Sequence, residues 1–350
     1  VDESRFVVLN AMDAAERGAD IRTQTAAVSA KWSDGLWQVD LKDNQSGETD
    51  QVSARLIVNA AGPWVDEVLK SVFGKNDAAN VRLVRGSHIV VAKKFAHDKC
   101  YIFQNEDDRI IFAIPYEQDY TLIGTTDVEH GVIDEKPQIT QEEIDYLCDR
   151  ASAYFTEPLH KEDVVWTYSG VRPLYDDGAS AAQEATRDYV LRRDESAGAG
   201  MLIDVFGGKI TTYRKLAEAM LQQIETLLGQ KGPAWIEKST LPGGDFAIAE
   251  RNRLVEDIQT HYPFIEPAHA ARLVRAYGTR SHQILGDCSN REELGKCFLE
   301  DLYEREVDYL FECEWARSAE DVLFRRSKLG IRAGKKEIDA LNRHFATLEK

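Results

Sequence analysis

One stretch decides how this chain folds, and it reads Asp204-Val205-Phe206-Gly207-Gly208-Lys209-Ile210-Thr211-Thr212-Tyr213-Arg214-Lys215. Residues 202–206 predict a short buried strand, two glycines end it, and apolar residues three or four apart predict a helix from Tyr213 onwards. Gly207 and Gly208 carry no Cβ, so the backbone can approach a ligand closely there. The free amides of the first helical turn and the charge of Lys209 can then hold an anion or an electron-rich ring edge. The alternative is an ordinary strand–turn–helix connection whose lysine is solvated.

The composition indicates a globular protein of roughly two or three domains, since its 350 residues are 43% hydrophobic and 29% charged. The formal net charge of −17 argues against nucleic acid as a partner and requires a local basic pocket for any anionic substrate. Five cysteines lie far apart without a C-x-x-C pair, which predicts reduced thiols in a cytosolic compartment. The sequence shows no secretory signal and no apolar run that could span a bilayer.

The predicted elements change in character along the chain. A hairpin is predicted at Asp34-Gly35, and residues 56–58 predict a central parallel strand. The small residues Ala60, Ala61 and Gly62 then leave room for a ligand at the carboxyl end of this strand, or form a tight packing corner. Short strands at close spacing from Val81 onwards predict an antiparallel sheet. Beyond residue 244 only helices are predicted, over residues 251–262, 268–277, 292–311, 319–329 and 335–348.

Two arginines and a histidine stand where predicted strands begin or end. His88 directly precedes an apolar strand, where it is either a hydrogen-bonded structural residue or a base that titrates near neutral pH. Arg172 precedes a proline in a predicted fixed turn. Its planar fork either orients an oxygen or clamps a phosphate, or forms a salt bridge to Asp176 or Asp177. Arg187 enters a strand and has the same two interpretations.

Together with Lys209, these arginines predict a phosphorylated small substrate. At about 5 Å one cation contributes about 3 kcal/mol to holding a negative charge, at an effective dielectric constant near 20. Several converging cations can therefore offset the negative net charge of the chain. The segment Thr125-Thr126-Asp127 either hydrogen-bonds a ligand or forms a polar turn. No H-E-x-x-H, clustered carboxylate loop or G-x-S-x-G elbow is present, so we expect no metal site, zinc hydrolase or serine hydrolase.

Several long motifs follow one another in a fixed order. They are Asn59-Ala60-Ala61-Gly62-Pro63-Trp64, Gly86-Ser87-His88-Ile89-Val90-Val91, Tyr168-Ser169-Gly170-Val171-Arg172-Pro173-Leu174, Thr186-Arg187-Asp188-Tyr189 and residues 206–215. They closely resemble the motifs of the bacterial aerobic, FAD-dependent glycerol-3-phosphate dehydrogenases. Ala234-Trp235, Leu241-Pro242-Gly243-Gly244 and residues 321–330 resemble the helical C-terminal domain of that family, so the resemblance covers essentially the whole chain.

The resemblance implies an α/β plus α fold: an incomplete glutathione-reductase-type FAD-binding α/β domain with a D-amino-acid-oxidase-like antiparallel-sheet substrate domain, followed by an all-helical C-terminal domain. Residues 1–80 would be the remainder of the FAD-binding domain and residues 81–175 the substrate domain. Residues 176–240 would return to the FAD-binding domain, and residues 241–350 would be helical. The family's N-terminal G-x-G-x-x-G turn, which grips the FAD pyrophosphate, is not in this sequence. We therefore expect the chain to correspond to the family without its first portion.

The resemblance also implies a reaction, the oxidation of sn-glycerol 3-phosphate to dihydroxyacetone phosphate. Hydride would pass from C2 to flavin N5, and electrons would pass on to membrane quinone. His88 would accept the proton of the C2 hydroxyl and Arg172 would stabilise the developing oxygen charge, or these two roles would be exchanged. The remaining implied contacts are Arg187, Lys209 and Tyr213 to the substrate, Val28 to the adenine side of FAD, Ala60, Ala61 and Gly62 along FAD, and Gly207, Gly208, Thr211 and Thr212 at the flavin pyrimidine edge.

Two other functions stay open on the sequence. One is a glycerol-3-phosphate oxidase that uses oxygen as acceptor. The other is a non-catalytic module without bound FAD, which the missing pyrophosphate turn would explain. The resemblance further implies a homodimer and peripheral attachment to the inner face of the cytoplasmic membrane. The basic residues between 325 and 336 are either a solvated helix face or a contact for anionic lipid.

Overall fold

The computed structural model describes residues 2–131, 133, 136–176, 178, 188–194 and 200–348 of the chain. The chain forms two compact units, Gln24–Gly232 and a second unit in which Val1–Thr23 joins Pro233–Lys350. The first helix therefore belongs to the same unit as the C-terminal helices. The four-segment division expected from the sequence is finer than this and remains a prediction.

The strands in the described part of the chain are β1 (Thr25–Ser33), β2 (Leu36–Asp43), β3 (Thr49–Ala54), β4 (Leu56–Asn59), β5 (Val81–Ala92), β6 (Tyr101–Gln104), β7 (Ile110–Tyr116), β8 (Tyr120–Gly124), β9 (Val128–Glu129), β10 (Val164–Tyr175), β11 (Val190–Asp194), β12 (Met201–Phe206), β13 (Cys297–Leu299) and β14 (Leu302–Tyr303). The α-helices are α1 (Glu3–Glu16), α2 (Val65–Ser71), α3 (Gln141–Ser152), α4 (Tyr213–Leu228), α5 (Arg251–His261), α6 (Pro267–Tyr277), α7 (Ser281–Leu285), α8 (Glu304–Glu314) and α9 (Lys335–Leu348). Within these described residues, no helix is both long and apolar enough to cross a membrane.

The short buried strand predicted over residues 202–206 and the helix predicted from Tyr213 onwards are confirmed. β12 pairs in parallel with β4 and antiparallel with β11. Because side chains alternate along a strand, Leu202 and Phe206 pack towards α2 and the β1–β3 sheet. Ile203 and Val205 pack on the other face against Met220 of α4. The turn formed by Gly207 and Gly208, the glycine turn, is thereby fixed between a buried strand and a buried helix face.

The β1–β3 sheet is an antiparallel meander. Its first hairpin turns at Asp34 and Gly35, whose φ angles of 54° and 79° lie in the left-handed region. Glycine adopts this region without strain and aspartate tolerates it, which is why the two residues predicted the turn correctly. Buried Trp37 and Val39 of β2 join the core that β12 and α2 share.

The large antiparallel sheet has the order β10-β5-β8-β7-β6, with β9 pairing to β5. Helix α3 covers one face of this sheet, where Leu147 packs with Ile89, Ile111 and Ile123. A Thr140 capping box begins the helix, as the Thr140 side chain accepts from the Glu143 amide and Glu143 accepts from the Thr140 amide. The opposite face of the sheet carries the polar side chains described below. The antiparallel sheet predicted from Val81 onwards is confirmed.

In the other unit, buried ion pairs connect elements that are distant in sequence. Arg5 of α1 contacts the carboxylate of Glu314, whose side chain is fully buried, and donates to the carbonyl oxygen of Ala276 at 2.9 Å. Arg326 Nε lies 3.7 Å from the same Glu314 carboxylate. Burial of a charge is costly unless it is paired and hydrogen-bonded, so these contacts specify how α1 packs on the C-terminal helices.

The single helix predicted over residues 292–311 is wrong. The hairpin β13–β14 occupies its middle, and α8 begins only at Glu304. Gly295 has a φ of 77° and Glu300 a φ of 47°, and both values belong to turns rather than to a helix. In the predicted helix 319–329, Asp321–Arg326 forms a π-helix and a short 3₁₀ turn follows it. All five cysteines are free thiols, as their spacing predicts.

Candidate active site

Strand pairing brings His88 and Arg172 to the same face of the large sheet. His88 of β5 stands opposite Tyr168 of β10 on one side and opposite Gly124 of β8 on the other. Arg172 follows Tyr168 by four residues on β10, and side chains at even separations along a strand share a face. This face is the one that α3 leaves uncovered. The two residues assigned to catalysis from the resemblance therefore lie together, although Arg172 is within a strand rather than in the predicted turn.

The Arg172 guanidinium is held by the segment that follows β8. Its Nη1 donates to Asp127 Oδ1 at 2.7 Å, and its Nη2 donates to Thr125 Oγ1 at 2.9 Å. Its ion-pair partner among the described residues is thus Asp127 rather than Asp176, and Asp177 lies outside them. About a third of the side chain, 31%, stays exposed, so the guanidinium is fixed in orientation and still reachable from solvent.

A buried carboxylate lies behind this segment. Glu143 of α3 accepts hydrogen bonds from Thr126 Oγ1 at 2.6 Å and from Ser87 Oγ at 2.9 Å, and it pairs with Arg85 Nη2 at 2.9 Å. Desolvation raises the pKa of Glu143, but the hydrogen bonds from Thr126, the Thr140 amide and Ser87, with the charge of Arg85, outweigh it and lower the pKa overall. The Thr125-Thr126-Asp127 segment is consequently engaged with protein groups.

His88 is a neutral base at physiological pH. Its ring stacks on Tyr168 with centroids 4.7 Å apart and planes 6° apart. Burial, together with the nearby positive charge of Arg172, lowers its pKa from 6.5 to about 4. Nδ1 is buried and has no hydrogen-bond partner among the described groups. A buried, unpaired nitrogen is costly, and a ligand that hydrogen-bonds to it would remove that cost.

The glycine turn lies next to the Arg172 segment. Gly207 and Gly208 have φ angles of 69° and 100°, which side-chain-bearing residues rarely adopt. A Cβ added to Gly207 would lie 2.9 Å from the carbonyl oxygen of Asp188 and 3.6 Å from that of Pro173, the residue after Arg172. The turn is thus in contact with β10 where Arg172 lies, and with the residue that follows Arg187.

The predicted substrate-side residues lie on or near this turn. Lys209 is exposed and extended, with φ −115° and ψ 146°, and it precedes a 3₁₀ turn over Ile210–Thr212. Tyr213 is half-buried as the first residue of α4. Arg187 lies outside the described residues. The roles of these three side chains therefore remain predictions, and so does the convergence of the three cations.

The residues predicted to contact FAD are exposed or half-buried, and their contacts with the cofactor remain predictions. Val28 is 43% exposed, and it lies at a register shift of β1, between Ala27 and Ser29. Ala60 and Ala61 follow β4, and Gly62 has a φ of 57° with open space where a Cβ would be. At the other end of the site, Thr211 is exposed, Thr212 Oγ1 donates to the Lys209 carbonyl oxygen at 3.1 Å, and α4 begins without a side-chain cap.

Family models define the class of protein to which the chain belongs. Residues 1–214 match the model described as "FAD dependent oxidoreductase", and residues 236–350 match the "C-terminal domain of alpha-glycerophosphate oxidase". The chain belongs to the family of FAD dependent oxidoreductases. The fold expected from the resemblance, a mixed α/β region followed by a helical C-terminal domain, is confirmed, apart from the added hairpin β13–β14.

Individual relatives within this family are dehydrogenases that are named for phosphorylated polyols. The glycerol-3-phosphate dehydrogenase of Pseudomonas aeruginosa is 43% identical over 331 residues, which are 95% of this chain and 64% of that protein. The aerobic glycerol-3-phosphate dehydrogenase of Escherichia coli is 40% identical, over 95% of this chain and 66% of that protein. The D-erythritol 1-phosphate dehydrogenase of Brucella abortus is 44% identical, over 94% of this chain and 65% of that protein. The chain thus spans about two thirds of the length of these relatives.

A solved structure has a similar fold. The glycerol-3-phosphate dehydrogenase from Bacillus halodurans complexed with FAD has a TM-score of 0.79 to this chain at 25% identity, and the match covers 100% of this chain and 72% of that one. The resemblance inferred from the motifs is confirmed by these comparisons.

The sequence did not indicate the residues that orient Arg172 and His88. These are Asp127 and Glu143 on the arginine side, Tyr168 on the histidine side, and Gly86 and Gly124 beneath them. The T-x-x-E spacing of Thr140 and Glu143 is a visible capping-box signal, but it predicts a helix start rather than a contact with Thr126. The other contacts depend on strand register, for which no local sequence signal exists.

Proposed function

We propose that this chain carries the substrate site of an FAD-dependent dehydrogenase that oxidises sn-glycerol 3-phosphate to dihydroxyacetone phosphate. The observation that carries the proposal is a neutral His88 beside an oriented Arg172 on an accessible sheet face, next to the glycine turn. The names of the Pseudomonas aeruginosa and Escherichia coli relatives support it.

The two side chains suit the removal of a proton from a secondary alcohol. With a pKa of about 4, His88 is unprotonated at neutral pH and can accept a proton, but it is a weak base, so the reaction depends on Arg172 to stabilise the developing oxygen charge. We assign acceptance to Nε2, because Nδ1 is buried away from solvent. Arg172 is always charged, and it stabilises the oxygen as negative charge develops there. When bound, FAD supplies the hydride acceptor for the carbon that loses its hydrogen.

Lys209 and Arg187 hold the substrate phosphate in this proposal, with Tyr213 beside them. An exposed lysine next to a turn with positive φ angles is reachable by an anion, and the uncapped start of α4 adds partial positive charge. Gly207, Gly208, Thr211 and Thr212 face the flavin. Val28, Ala60, Ala61 and Gly62 line the rest of FAD.

The test compares substrates on FAD-loaded protein with an artificial electron acceptor. We expect sn-glycerol 3-phosphate to be oxidised and unphosphorylated glycerol to be a poor substrate, because glycerol lacks the anion that Lys209 binds. D-erythritol 1-phosphate is the second candidate substrate, which the 44% identity to the Brucella abortus enzyme favours. A higher kcat/KM for D-erythritol 1-phosphate than for sn-glycerol 3-phosphate would identify D-erythritol 1-phosphate as the preferred substrate. The roles proposed for His88 and Arg172 would stay the same.

The electron acceptor separates the dehydrogenase from the oxidase. We propose membrane quinone, while the match of residues 236–350 to a domain named for alpha-glycerophosphate oxidase favours oxygen. Peroxide formation in air without a quinone analogue would identify the oxidase. Protein that stays colourless after incubation with FAD and desalting would support the third function, a non-catalytic module.

Peripheral attachment to the inner face of the cytoplasmic membrane and homodimer formation also belong to the proposal. The basic residues of the C-terminal part give limited support to a lipid contact, because several already have acidic partners. Arg325 pairs with Glu320 and Asp321, and Arg332 Nε lies 3.6 Å from Glu300. Sedimentation with anionic vesicles tests attachment, and light scattering tests the dimer.

A further inference from the structure

Two glycines lie directly beneath the catalytic side chains. A Cβ added to Gly86 would overlap the Arg172 guanidinium and lie 2.5 Å from its Cζ. A Cβ added to Gly124 would overlap the His88 ring, at 2.7 Å from Cγ and 2.9 Å from Nε2. Real Cβ atoms essentially never approach another heavy atom within 3.0 Å, so neither side chain can keep its place above an alanine.

We propose that Gly86 and Gly124 are positioning residues, whose missing side chains let Arg172 and His88 lie flat on the sheet at the distance that the reaction requires. The catalytic part of this proposal rests on the proposed function. The steric part stands on the geometry alone.

The φ angle gives no reason for glycine at either position. Neither residue has a φ in the left-handed region, and both are buried within strands, where glycine usually weakens a sheet. Gly170, which pairs with Gly86 across the strands, offers a contrast, because a Cβ there would meet nothing within 4 Å. The requirement for glycine is therefore local to the places where Arg172 and His88 cross the sheet surface.

The expected consequence is a change at His88 when only Gly86 is altered. In Gly86→Ala the guanidinium has to move away from the sheet, and from Asp127 and Thr125. The Arg172 charge then lies farther from His88 and lowers the pKa of His88 by less. We expect the pKa of His88 to rise above its value of about 4 and to stay below 6.5, because burial, the larger cause, persists.

Nuclear magnetic resonance of the full chain labelled at its histidines measures this pKa without FAD. A His88→Asn variant assigns the signal among the eight histidines, and Gly170→Ala serves as the matched control. A higher His88 pKa in Gly86→Ala alone supports the proposal. An identical pKa in Gly86→Ala, Gly170→Ala and the unaltered chain would overturn it.

A stability cycle covers the case in which Gly86→Ala folds poorly. If the cost arises from the collision with Arg172, Gly86→Ala should be less harmful in an Arg172→Ala background, where the guanidinium is absent. Equal costs in both backgrounds would overturn the steric claim.

Kinetics of the FAD-loaded protein test the catalytic part. We expect both Gly86→Ala and Gly124→Ala to lower kcat about 100-fold with little change in KM, the size of a lost transition-state donor or base. Gly131→Ala, an exposed site with open space at its Cβ, is the control. An altered His88 pKa with unchanged kcat would retain the steric claim and reject the catalytic one. Inactivity of the unaltered protein would reject the proposed function and leave the resonance result valid.

Discussion

At the scale of single residues, the environment of His88 supports the catalytic role proposed for it. His88 has a buried Nδ1 without a partner among the described groups, and its ring stacks on Tyr168 close to the charge of Arg172. The motifs over residues 86–91 and 168–174 predict that His88 and Arg172 are site residues. Asp127 could not be inferred, because it lies 45 residues before Arg172 and meets it only through the strand register.

Lys209 provides a prediction for substrate binding. Lys209→Ala should raise KM for sn-glycerol 3-phosphate about 10- to 150-fold and leave kcat nearly unchanged, since a charge-assisted contact contributes about 1.5–3 kcal/mol. Steady-state kinetics of the FAD-loaded protein measure this effect. Lys215→Ala is the control, because Lys215 is exposed and pairs with Glu218 on the same helix. Equal KM values for the two variants would remove Lys209 from the phosphate site.

At the scale of elements, α3 fixes the segment that orients Arg172. The Thr140 capping box sets the first turn of the helix, and the Glu143 carboxylate of that turn also accepts from Thr126 and Ser87. A helix that covers the far face of the sheet thereby determines where a side chain on the near face lies. Sequence periodicity predicts such a helix well. It does not predict which residues hydrogen-bond to the buried Glu143 carboxylate.

Replacing Glu143 should therefore destabilise the protein in a pH-dependent way. Glu143→Gln leaves the Arg85 charge without its partner and should cost about 3 kcal/mol of unfolding free energy at neutral pH. Since the pKa of Glu143 is lowered on folding, its contribution is present above the ordinary value of 4.5 and is lost as the pH falls through the folded-state pKa.

Denaturant unfolding at several pH values checks this expectation. The difference between wild type and Glu143→Gln should be largest at neutral pH and shrink below about pH 4.5, where the wild-type carboxyl also becomes protonated. Glu142→Gln, an exposed neighbour on the same helical turn, is the control. A difference that does not vary with pH would show that the charge of Glu143 is not what stabilises the fold.

The element boundaries show where sequence reasoning succeeds. The sequence predicts α4 and β12 correctly, because the apolar residues of each keep one clear period and a glycine pair separates the two elements. Residues 292–311 contain apolar residues that fit a helix as well as a short hairpin. The turn at Glu300 carries no glycine to mark it, so the hairpin was missed.

At the scale of the whole molecule, the chain forms two units, and one of them joins residues from both ends of the sequence. Arg5 and Glu314 are 309 positions apart, and their contact is buried. No local pattern predicts a pairing at that distance.

This ion pair gives a prediction for the second unit. Glu314→Ala should lower its unfolding free energy by about 3–5 kcal/mol, because Arg5 and Arg326 lose their buried partner. Hydrogen exchange should then become faster in α1 and in Asp321–Arg326. Glu312→Ala, an exposed site on the same helix, serves as the control. Unchanged exchange in α1 would contradict the stabilising role of the pair.

The central claim is that His88 and Arg172 form the site that oxidises a phosphorylated polyol, and one measurement tests it most directly. FAD-loaded protein is mixed with sn-glycerol 3-phosphate without oxygen, and the loss of visible flavin absorbance is followed in time. We expect rapid bleaching in the wild type, a rate at least about 100-fold lower in His88→Asn, and an unaltered rate in His97→Asn, an exposed histidine of the same sheet domain. Equal rates in wild type and His88→Asn, or a wild-type flavin that stays oxidised, would contradict the claim.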